Sequence, residues 1–209
     1  MSNKKLSNIN ILYIFLTIFI GCFLRYTYFA DNNAWFDEWN MLYTIDPNLS
    51  SEDTWKRYYG DRGDHVLPEY YPPLNAFFLK FILNIFGYNI ENTKLITLIF
   101  GSGSLFLIFY LSRILTNIKY SIFITLIANF NLFLIWQSSE IRPHSFVVFF
   151  SLLCIILFLK ILDKNLLQNK ILLTFYFFSS LILLSSLLFS LIIFFAKFIF
   201  ISHGFFLSK

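Results

Sequence analysis

The stretch from Ile9 to Trp39, INILYIFLTIFIGCFLRYTYFADNNAWFDEW, joins two kinds of chain. From Ile9 to Leu24 no side chain is charged, and then Arg25, Tyr26 and Tyr28 supply the residue types that anchor a helix at a membrane–water boundary. The run predicts a membrane helix over residues 9–29, and Lys4 and Lys5 before it put its amino end on the cytoplasmic side. It resembles a signal peptide only superficially, because no small-residue cleavage site follows, so the helix is expected to be retained. Just beyond it two adjacent carboxylates, Asp37 and Glu38, stand between Trp35 and Trp39. Packing alone does not explain an acid pair there, and it is the candidate chemical centre.

Composition agrees with the opening run. The 209 residues are 57% hydrophobic, 22% aromatic and 13% charged, against about a quarter charged in soluble domains. An all-α membrane protein is expected. The net charge of +4 does not imply a nucleic-acid partner, since the basic residues are scattered singly between apolar runs. Cys22 and Cys154 fall inside such runs without metal-ligand spacing.

Working outward, residues 30–72 hold nine of the twelve acidic residues (Asp31, Asp37, Glu38, Asp46, Glu52, Asp53, Asp61, Asp64 and Glu69), against Lys56, Arg57 and Arg62. So acidic a loop belongs outside the hydrocarbon, and on this topology it is extracytoplasmic. After Pro72 and Pro73, the residues Leu74, Phe77, Phe78, Phe81, Ile82, Ile85 and Phe86 step by three and four, with Ala76, Lys80 and Asn84 opposite and Gly87 at the end. That pattern predicts an amphipathic helix of about 20 Å, too short for a core of about 30 Å and suited to the outer membrane surface. A short spanning helix is the alternative, and Lys80 reads as part of the polar face.

Further spans are expected over 94–115, 120–136 and 145–162, with Gly101, Ser102, Gly103 and Ser104 admitting a close neighbour. Gln137 to His144 makes a polar turn on the same side as the acidic loop. Residues 163–170 read as a cytoplasmic connector, and 171–201 as two short helices breaking around Ser185 to Ser190, Lys197 lying in the second. The expected whole is a multi-spanning helical bundle of about six hydrophobic segments, one transmembrane domain over 1–209, with an extracytoplasmic loop and surface helix over 30–92.

The acid pair and the turn containing Glu140, Arg142 and His144 therefore share one water-facing side. A carboxylate can take a proton from an attacking hydroxyl or amine, and a guanidinium can hold a leaving phosphate. Adjacent helical residues point about 100° apart, so Asp37 is assigned as base and Glu38 as supporting ligand or hydrogen-bond acceptor. Arg142 reads as a phosphate contact, as an interfacial anchor or as the partner of Glu140. Arg25 reads as an interfacial anchor, a phosphate contact or the partner of an acid. Trp35, Trp39, Tyr70 and Tyr71 suit either an aromatic belt or stacking on a sugar, and His65 reads as a solvated loop residue.

The ordered set Gly21, Phe23, Leu24, Arg25; Trp35, Phe36, Asp37, Glu38; Tyr71, Pro72, Pro73, Leu74; Phe86, Gly87; Leu95 with Gly101; and Ser138, Arg142, Pro143 resembles the amino-terminal part of the GT-C membrane glycosyltransferases. Within them it is most similar to the branch of the protein O-mannosyltransferases and the aminoarabinose transferase of lipid A, over about residues 10–162. The resemblance implies an enzyme of the bacterial inner (plasma) membrane that moves a sugar, with inversion, from a polyprenyl-phosphate donor to a lipid, glycan or protein acceptor on the extracytoplasmic side. It implies Asp37 as the catalytic carboxylate, Glu38 at the same site and Arg142 near the lipid phosphate. His144 stands where the family often has Tyr, and Lys94 where it commonly has Arg. Arg25, His144 and Tyr71 complete the candidate substrate-binding set. Some relatives use a divalent metal and others do not, so a metal is left undecided. Family members are longer, so the chain corresponds to the front portion of such an enzyme, continued in frame or completed by a second chain. The alternative class is a non-catalytic or truncated membrane protein that binds a lipid carrier. A channel fits less well, because the predicted spans carry few ionisable residues away from their ends.

Overall fold

A computed structural model describes residues 8–31, 34–60, 73–162 and 170–186. The expectations for His65, Tyr70, Tyr71, the 163–169 connector and Lys197 lie outside the described residues. Those described are helical apart from short turns and connectors, without strands. The helices are α1 (Asn8–Asp31), α2 (Phe36–Thr44), α3 (Ser51–Tyr58), α4 (Leu74–Phe86), α5 (Ile90–Leu115), α6 (Ile118–Asn129), α7 (Leu132–Gln137), α8 (His144–Leu162) and α9 (Lys170–Leu184). Three segments, Asn8–Ala30, Ile90–Leu115 and His144–Leu162, are long and apolar enough to cross a membrane, as expected of an integral membrane protein.

Helix α5 is the centre of the bundle and packs against α8, α6 and α1. Two glycines bring helices together where a side chain would not fit. A Cβ at Gly21 would lie 2.2 Å from Asn129 Oδ1, and one at Gly101 would lie 2.1 Å from Ser138 Oγ. The first contact lets buried Asn129 donate to the Thr17 carbonyl at 2.6 Å, tying α6 to α1. The second draws the end of α7 onto α5, where Thr97 Oγ1 donates to the Ser138 carbonyl at 3.2 Å. Small residues thus replace side-chain bulk with backbone proximity.

The loop predicted between the first two spans is largely a helical cap. Met41, Leu42 and Ile45 of α2 and the following turn, Tyr58 of α3, Ala76, Leu79 and Leu83 of α4, and Ile141 form one buried cluster. Ser50 caps α3 by accepting from the Asp53 amide at 3.0 Å. At the other end of α4, Gly87 takes φ +99, which a side chain would resist. Asn92 Nδ2 then donates to the carbonyls of Phe86 and Gly87, fixing the corner into α5.

Two expectations are corrected. The run 120–136 is not one helix, because α6 ends at Asn129 and α7 restarts at Leu132, with Asn131 accepting from the Leu134 amide at 3.0 Å. A capping asparagine offers the backbone an alternative to continuing the helix. Lys80, read as an exposed polar face, is buried and donates to the Leu49 carbonyl at 2.6 Å and to Thr54 Oγ1. Ala76 and Lys80 face the cap, while Phe81, Ile85 and Phe86 are exposed. Helix α9 ends at Leu184 and a turn follows at Ser185 and Ser186, within the expected break.

Candidate functional site

At the Trp35 end of α2 the backbone turns from extended to helical, and Glu38 Oε2 reaches back to accept from the Trp35 amide at 3.2 Å. This is half of a capping box, and it fixes the rotation of α2 about its axis. Glu38 thereby points into the protein and Asp37 toward its edge. The Glu38 side chain is 0% exposed, with Lys94 Nζ 3.1 Å from Oε2 and the Ile141 amide donating to Oε1 at 2.9 Å. Lys94, in the first turns of α5, is itself 5% exposed. A buried carboxylate with a cation and two amide donors is satisfied on both oxygens.

Asp37, 29% exposed, forms an ion pair with Arg142 across 105 residues of chain. The Arg142 guanidinium also lies 5.3 Å from the Trp35 ring centroid, and its Nε is 3.5 Å from Glu140 Oε1. The turn that carries it is held by the Ser138 and Ser139 amides, which donate to Ile135 and Trp136, and by Arg142 N donating to the Glu140 carbonyl at 2.8 Å. Pro143 opens α8, its carbonyl accepting from Val147. Two polar segments distant in sequence thus become one site, with Glu38 sewing α2 to the turn at Ile141.

Three carboxylates, Asp37, Glu38 and Glu140, share this site with two cations, Lys94 and Arg142. Glu140 is 2% exposed, and its Oε2 has no hydrogen-bond partner among the described residues. Burial pushes its carboxyl up to about 7, Arg142 and Lys94 opposing and Glu38 and Asp37 adding to the rise. A half-open recess of about 280 Å³ lies on the Trp39 side of α2, bounded by Phe29, Ile90, Glu91 and Lys94.

The structure brings Asp37, Glu38 and Arg142 together, with His144 two residues beyond Arg142. It does not bring Arg25 into the cluster. Arg25 is 1% exposed, and its Nη1 donates to the Gly21 carbonyl at 3.1 Å. It lines a cavity of about 10 Å³ with Gly101, Gln137, Ser138 and Ser145, room for about one water. Arg25 is thus enclosed within the helices and apart from Asp37, Glu38 and Arg142, and among the described residues no acid is paired with it.

Sequence reading gave Glu140 only as one partner for Arg142 and Lys94 only as the basic residue opening a span, and paired neither with Glu38. The available signal was a lone lysine four residues into an apolar helix and an acid two residues before an arginine, each with several innocent explanations. Among the described residues no group of three His, Cys, Asp or Glu side chains is placed to hold a metal. Comparison of the chain with family models, curated proteins and solved structures returns no match. The GT-C resemblance therefore rests on the quoted residues alone.

Proposed function

We propose that the chain acts in a membrane glycosyltransferase that uses a polyprenyl-phosphate sugar, with its active face on the extracytoplasmic side of a bacterial plasma membrane. One observation carries the reading: Asp37 and Arg142, 105 residues apart, meet at the partly exposed edge of an otherwise buried polar cluster. The donor phosphate takes the place of the Asp37 carboxylate on Arg142, since both are anions suited to the guanidinium fork. Asp37, released, accepts the proton of the acceptor hydroxyl or amine as that atom attacks the sugar carbon. Glu38 and Lys94 keep α2 and the turn in register and are positioning residues. The same displacement without the chemistry describes a lipid-carrier binding protein, and Asp37 being already paired favours that second reading.

The test is transfer from defined polyprenyl-phosphate sugars by the full protein in membranes. Asp37→Asn is expected to lower transfer by about 10²–10⁴-fold, the usual worth of a positioned base, while insertion is unchanged. Wild-type transfer in that variant rules out Asp37 as base. Binding of lipid phosphate without transfer by the wild type favours the carrier-binding reading.

A further inference from the structure

Among the described residues, Glu140 is the one acid of the cluster with a buried oxygen that no donor claims. Its Oε1 faces Arg142 Nε at 3.5 Å, while its buried Oε2 has no hydrogen-bond partner among the described residues. An ionised carboxylate so placed is costly, because burial removes water and nothing replaces it on that oxygen. A protonated carboxyl in the same place makes that oxygen a donor, on a side chain whose other oxygen faces Arg142. We propose that Glu140 is the proton donor to the phosphate that leaves the sugar, an assignment that rests on the transferase reading.

The step balances with the residues present. The bond from the sugar carbon to the phosphate oxygen breaks, its electron pair staying on that oxygen, which takes the Glu140 proton. The acceptor oxygen or nitrogen forms the new bond to the sugar carbon, and its proton passes to Asp37. Asp37 then loses a proton to water and Glu140 regains one. Arg142 spans both ends of this exchange, because it contacts Asp37 through Nη2 and faces Glu140 through Nε.

The charged groups that act on Glu140 are Arg142 on its own turn, Asp37 and Glu38 from α2, and Lys94 from α5. An anion arriving at Arg142 adds negative charge beside Glu140 and weakens the hold of the nearer of the two cations that act on it. Binding of a phosphodiester must therefore draw a proton onto Glu140 wherever that group is otherwise partly ionised, from about pH 7 upward.

Two measurements on the full-length protein test this. The first is calorimetry with methyl dodecyl phosphate, a lipid phosphodiester without a titration near pH 7, in buffers of different ionisation enthalpy at pH 7.5. The wild type is expected to take up a substantial fraction of a proton on binding, and Glu140→Gln none; equal uptake in both overturns the proposal. The second is the pH profile of transfer. The wild-type rate should fall on the alkaline side, approaching tenfold per pH unit. Glu140→Gln should be slower by about 10²-fold and lack that limb, and Glu140→Asp should restore it. An unchanged alkaline limb in Glu140→Gln overturns the catalytic role. Proton uptake without any wild-type transfer sinks the transferase reading and the catalytic role together, leaving only the contact between Glu140 and a bound phosphate.

Discussion

Asp37 and Glu38 are neighbours in sequence, yet they live in different electrostatic worlds. Glu38 is fully enclosed, shares its oxygens among Lys94, the Trp35 amide and the Ile141 amide, and couples three elements. Asp37 is partly exposed and has Arg142 as its cation. Removing water strengthens the first pair and makes it expensive to break, whereas solvent weakens the second and leaves it exchangeable. Adjacent acids thus divide the labour: the enclosed one holds the site together, and the open one is available for chemistry.

The comparison is broken most severely at its buried half. Glu38→Ala takes the paired acid from buried Lys94 and the acceptor from the Ile141 amide, and unfolding of the detergent-solubilised protein should show a loss of about 3–5 kcal/mol. The double variant Glu38→Gln with Lys94→Met should recover much of that, since the buried cation is gone as well. A loss below about 1 kcal/mol in Glu38→Ala would remove its structural role.

Glu140 gives an intermediate effect that depends on pH. Its folded pKa of about 7 lies above the ordinary 4.5, so between those values the native state binds more protons than the unfolded chain, and stability falls as pH rises. The penalty is absent below about pH 4.5, complete above about pH 7, and should vanish in Glu140→Gln. Unfolding midpoints of the two proteins measured from pH 5 to 8 should diverge in slope; parallel curves would contradict the burial cost assigned to this carboxyl.

The smallest effect belongs to the open pair. Asp37→Ala should cost no more than about 1 kcal/mol of stability, the usual worth of an ion pair that water reaches. The same unfolding assay checks it, and a loss as large as that of Glu38→Ala would erase the distinction drawn between the two acids.

Much of the helical layout was legible in the chain itself. The uncharged runs behind α1, α5 and α8 are long enough to declare themselves, and the three-and-four spacing after Pro73 marks α4 up to Gly87. The division of α6 from α7 was less visible, because Asn131 sits in an apolar run whose length suggests one helix. Lys80 was misread for a related reason: periodicity separates the faces of a helix but does not say what covers each face. In the site, Asp37 and Arg142 stood out by residue type and setting, whereas the pairing of Lys94 with Glu38 spans 56 positions and leaves no local trace.

The sequence by itself determined that the protein is helical and apolar, that an acid pair follows the first long helix, and that an arginine-bearing turn precedes α8. These follow from local composition and spacing, which act within a few turns of helix. Only the tertiary structure decided which acid is enclosed, that Arg142 meets Asp37, that Arg25 is buried apart from both, and that Glu140 keeps an unclaimed oxygen. Those outcomes depend on close approach at Gly21 and Gly101 and on the rotation of α2 fixed by Glu38. Burial and distance set the energy of each charge, and neither exists until the helices have packed.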